Sequence, residues 1–127
     1  MIVAVKDWIK GFFKADAYFT GSTRNRKEKT LTVFPGESLL NPVAIGGKEN
    51  NSYFGYAARL LLRWNRNMKE SEDAAWELYE ALRFREGELA GHRIVDARLR
   101  RAQPIFLGSD EDSILEFSID IDFILER

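Results

Sequence analysis

His92, between Gly91 and Arg93, is the one histidine in a 127-residue chain that contains no cysteine. A hydrolytic centre needs a nucleophile, a base and an orienting group within mutual reach. No serine or threonine here stands in a nucleophile motif, so His92 reads as a surface or strand-end residue. Gly46-Gly47-Lys48 lacks the four-residue spacing and the following hydroxyl of a phosphate loop. Ser109-Asp110-Glu111-Asp112-Ser113 has carboxylates without the central glycine and distal glutamate of a calcium loop. Glu116, Asp120 and Asp122 alternate along one strand and share a face, which reads as a solvated polar surface before it reads as a cation site. The residues therefore predict no enzyme, no cofactor and no metal.

The basic residues pose a different question. Arg24, Arg26, Lys27 and Lys29 crowd one short connector, where they could follow a phosphate backbone. Arg83, Arg85, Arg98, Arg100 and Arg101 could extend such a patch. A nucleic-acid-binding accessory protein is thus the alternative function. Against it, the net charge is −1, and neither a known binding motif nor an aromatic platform accompanies the basic run. The charge is nonetheless uneven: residues 1–69 carry +7 and residues 70–127 carry −8. Such asymmetry suits nucleic acid, an acidic partner, or copies of one chain that meet through opposite surfaces.

At this length the chain reads as one domain, residues 1–127, with apolar residues at 45% and aromatic residues at 13%, enough for a packed core. No apolar run reaches the length of a membrane span and no signal-cleavage pattern opens the chain, so no membrane partner and a cytoplasmic site of synthesis are expected.

The elements that must position these residues follow from periodicity. Val5, Trp8, Ile9, Phe12 and Phe13 form a helical stripe over residues 2–13. Ala17–Thr20 and Thr30–Phe34 read as two strands of a hairpin with residues 22–29 as its charged tip. Residues 35–56 hold two of the three prolines and four glycines, and read as a long loop with a short edge strand at 43–45. Its apolar residues Leu39, Leu40, Tyr53 and Phe54 are expected either to contact another chain or to cap the core. Leu60, Leu62 and Trp64 alternate on a strand that ends at the turn Asn65-Arg66-Asn67. A helix over 72–86 follows, with Ser71 as its N-cap, the stripe Ala75, Leu78, Tyr79, Leu82, and Gly87 beyond its end. Val95, Ala97 and Leu99 point inward from a strand over 93–101, Pro104–Gly108 reverses direction, and residues 115–125 alternate as a long final strand paired with 93–101. The expected architecture is α+β: a mostly antiparallel sheet of four or five strands with two helices on one face.

Read in order, these segments resemble a family. Gly46-Gly47, the apolar strand Leu60–Trp64 closed by an aromatic, Asn65 and Asn67, and Glu70-Ser71-Glu72 opening a helix are similar to the minor capsid or tail-terminator-like proteins of long-tailed bacteriophages. Pro104–Gly108, the acidic turn and the long last strand resemble the family's ending, so the likeness spans most of residues 30–127. One departure is Arg63, where the family pattern has a histidine before the tryptophan. The resemblance implies a virion structural protein of the neck, a tail terminator or head–tail joiner. It further implies a small α+β subunit, usually in six copies, ringed on the head-proximal end of the tail tube, where it stops tube growth and docks the head connector. The partners implied are other copies of the chain, tail-tube protein and head-connector protein, with nucleic acid at most incidental. Such a ring needs two different surfaces per copy. Residues 22–29 and 35–56 are the expected basic and apolar side of the contact, and Glu116, Asp120 and Asp122 the acidic side.

Overall fold

A computed structural model describes residues 1–22, 28–37 and 52–127. Helix α1 (Ile2–Lys10) leads to strand β1 (Ala17–Thr20) and strand β2 (Thr30–Pro35). The long strand β3 (Tyr53–Arg63) precedes helix α2 (Met68–Leu82), the two-residue strand β4 (Glu88–Leu89) and β5 (His92–Leu99). Strands β6 (Ile105–Ser109) and β7 (Leu115–Glu126) close the described chain. The class is α+β as expected, but the curled, mixed sheet has seven strands rather than four or five, in the order β1-β2-β3-β7-β5-β4, with β6 also paired to β7.

Strand β7 is the axis of this sheet. One edge pairs with β3 over the whole run from Tyr53↔Glu126 to Arg63↔Glu116. Its other edge is shared: β5 takes the end near Leu125, and β6 takes the end near Leu115. The alternation read from the sequence holds, since Phe117, Ile119, Ile121, Phe123 and Leu125 are all buried. They join one core with Leu60 and Leu62 of β3, Leu31 and Val33 of β2, Val5 and Ile9 of α1, and Ala75, Leu78, Tyr79 and Leu82 of α2. The Trp8 ring meets Phe123 edge-on at 5.5 Å, so α1 lies on the same face as the odd residues of β7.

Several expectations need correction. Strands β1 and β2 are parallel, from Ala17↔Thr30 to Thr20↔Val33, and do not form a hairpin. Alternation fixes which side chains share a face, whereas strand direction is set by partners: β2 pairs antiparallel with β3, and β1 adds to its free edge. Gly21 at φ 72 and the hydrogen bond Lys29 N–H to Trp64 O (2.7 Å) bound the connector, whose residues 23–27 lie outside the described part. Helix α1 stops at Lys10, and Phe13 remains buried beyond it because Phe12 and Phe13 N–H groups still bond to Ile9 O. Pro104–Gly108 is no simple reversal, for Ile105–Ser109 forms β6. Val95 is exposed rather than inward, because a bulge between Ile94 and Asp96 shifts the register and turns Ile94 to the core beside Ala97.

Helix α2 also begins earlier than expected, and its cap differs. Asn67, not Ser71, is the N-cap, accepting from Glu70 N–H at 3.0 Å. Ser71 is fully buried instead, and its hydroxyl donates to Asn65 Oδ1 at 3.0 Å. Asn65 Oδ1 further accepts Asn67 N–H at 2.9 Å, and its amide donates to Glu70 Oε2 at 2.6 Å. The Asn-x-Asn spacing is therefore a hydrogen-bonded joint between β3 and α2. The helix ends at Leu82 with Arg83 already extended, so Gly87 is not its C-terminal glycine. Gly87 has another use: at φ 147, a Cβ there would lie 2.5 Å from Trp8 Nε1.

Candidate assembly interface

The face of the sheet turned away from the helices carries the polar residues of β7, and they are not solvated carboxylates. Asp120 accepts from Arg59 Nε at 2.8 Å across the β3–β7 pair. Asp122, 4% exposed, is gripped by Arg100 through Nε at 2.5 Å and Nη2 at 2.9 Å. Bonding to these carboxylates holds the guanidinium pKa of both arginines above the usual value. Arg100 also donates to Glu37 O, beside a cavity of about 690 Å³ between the end of β2 and Arg59, Arg100 and Asp120.

At the other end of β7 the two acids differ. Burial pushes the Glu116 carboxyl above the usual glutamate range, and the nearby Asp110 charge adds to that. Burial pushes Asp110 upward too, but the N–H groups of Ile114 and Asp112 and the Arg63 guanidinium outweigh it and hold the carboxyl below its usual value. Arg63 is 5% exposed and donates Nε–H to Asp110 Oδ2 at 2.7 Å. Where the family resemblance expects histidine, the chain thus has a buried cation anchored to the acidic turn. No group of three or more metal-binding side chains occurs among the described residues.

The other expected site residues separate. Arg24, Arg26, Lys27, Leu39 and Leu40 lie outside the described residues, as does the 43–45 strand. Lys29 is exposed, with its ammonium 5.8 Å from the Trp64 ring centre. Tyr53 and Phe54 belong to β3 rather than to a loop. Tyr53 is exposed, whereas Phe54 packs edge-on against His92 at 4.9 Å and joins the core. The second basic set is largely taken up within the chain: Arg83 pairs with Glu80, Arg98 with Asp96, Arg100 with Asp122, and Arg85 stacks on Phe12 at 3.9 Å.

Sequence reasoning missed the exposed apolar residues. Phe84, just past α2, is 80% exposed, and Phe106 and Leu107 of β6 are half-exposed. A signal for Phe84 was present: it stands between two arginines and falls off the stripe that ends at Leu82. The outer side of α2 is acidic around a partly exposed Trp76, with Glu70, Asp73 and Glu77 bordering a groove of about 320 Å³ that also contains Lys29, Trp64 and Ala74. No helix among the described residues is long and apolar enough to cross a membrane.

Comparison with known proteins gives the family. The family model described as "Bacteriophage tail terminator protein" matches residues 23–127, which take in every strand except β1 and the whole of α2. No curated protein matches the chain. With most of its length matched, the chain belongs to the bacteriophage tail terminator family and is a structural protein of the phage tail or neck, where its partners are other tail and head proteins.

Proposed function

We propose that this protein is a ring-forming tail terminator, in which copies of the chain, six by family resemblance, cap the head-proximal end of the tail tube and present a surface to the head connector. The work is assembly and docking, not catalysis. The observation that supports the reading is the placement of exposed apolar side chains. Phe84 stands near the Leu125 end of β7, since Gly87 O accepts Ile94 N–H and Ile94 pairs with Leu125. Phe106 and Leu107 stand on β6, which pairs with the Leu115 end. A heterologous assembly needs two different surfaces on each copy, and Phe84 at one end with Phe106 and Leu107 toward the other offer two. A basic tip from a neighbour at Asp120 and Asp122 would compete with Arg59 and Arg100, which leaves the ends of the sheet as the stronger candidates for contact.

Deleting the gene from an inducible phage and imaging the lysate by electron microscopy tests the role. Overlong tails are the expected result. Tails of normal length lying apart from heads would replace the terminator reading with that of a head–tail joiner.

A further inference from the structure

We draw no further inference here: the strongest candidate, the surface patch of exposed Phe106 and Leu107 on the outer edge of β6, carries nothing, because β6 is a short strand broken by a bulge and nothing in the structure shows what covers it.

Discussion

Asp110 and Glu116 face each other across the turn into β7, and the fold treats their charges in opposite ways. Asp110 has its carboxyl pKa lowered, so its contribution to stability is present above the ordinary aspartate value and is lost as pH falls through the lower folded value. Glu116 has its carboxyl pKa raised, so the folded state gains as pH falls through that higher value and loses as pH rises again. Glu116→Gln removes a charge the fold disfavours, and should raise the melting temperature at neutral pH by roughly 2 °C, an advantage that fades as pH drops to the ordinary glutamate range. Asp110→Asn keeps Oδ1 as acceptor for Asp112 and Ile114 N–H but turns an amide toward the buried Arg63, so it should cost about 2 kcal/mol at neutral pH. Thermal melts of both variants across pH check the sign: a Glu116→Gln protein less stable at neutral pH than the parent would refute this account. Neither effect was legible in the sequence. Asp110 looked like one acid in an acidic turn, and its distinction comes from Arg63, which lies 47 positions away in the chain and close to it only in the fold.

The joint between β3 and α2 shows how far an element can be read from its sequence. The buried stripe of α2 and the inward faces of β3 and β7 follow from period alone and are observed, except that the end residues Trp64 and Leu115 are only half-buried. The helix start does not, because Asn67 and Ser71 are both good caps and the choice between them falls to Asn65, 9% exposed, which engages them both. The direction of β1 and the bulge in β5 were equally hidden, since pairing partners and register shifts are tertiary facts. The joint makes a graded prediction. Asn67→Ala removes one cap bond and should cost about 1 kcal/mol. Asn65→Ala leaves Asn67 N–H without its acceptor, leaves Ser71 Oγ–H only the longer bond to Asn65 O (3.3 Å), and frees Glu70 of its amide partner, and should cost about 2 kcal/mol. Denaturant titrations rank the two; a larger loss for Asn67→Ala would mean the cap, rather than the buried asparagine, holds α2 against the sheet.

At the scale of the whole molecule, the sheet acts as a ruler. Strand β7 spans roughly 40 Å at about 3.3 Å per residue, with the Phe84 loop toward its Leu125 end and Phe106 and Leu107 of β6 toward its Leu115 end. A ring closes only if every copy holds the same distance and angle between its two contact surfaces, because small errors accumulate around the circle. On the ring proposed above, rigidity along β7 would be a functional requirement, and the topology supplies it: β7 is bonded on both edges, whereas β1 has four residues and β4 two. Opening β7 disrupts the pairing of β3, β5 and β6 together, so its amides should exchange hydrogen only on global unfolding, while β1 and β4 exchange through local opening. Ile121, fully buried at the centre of β7, gives the matching mutational test. Ile121→Ala should cost roughly 3 kcal/mol, and in hydrogen exchange it should lower the protection of β3 and β7 by the same amount while leaving β1 and β4 little changed. If β7 instead exchanged as fast as β1, the sheet would be too soft to set the angle between neighbours, and closure would have to be imposed by the tail tube beneath it.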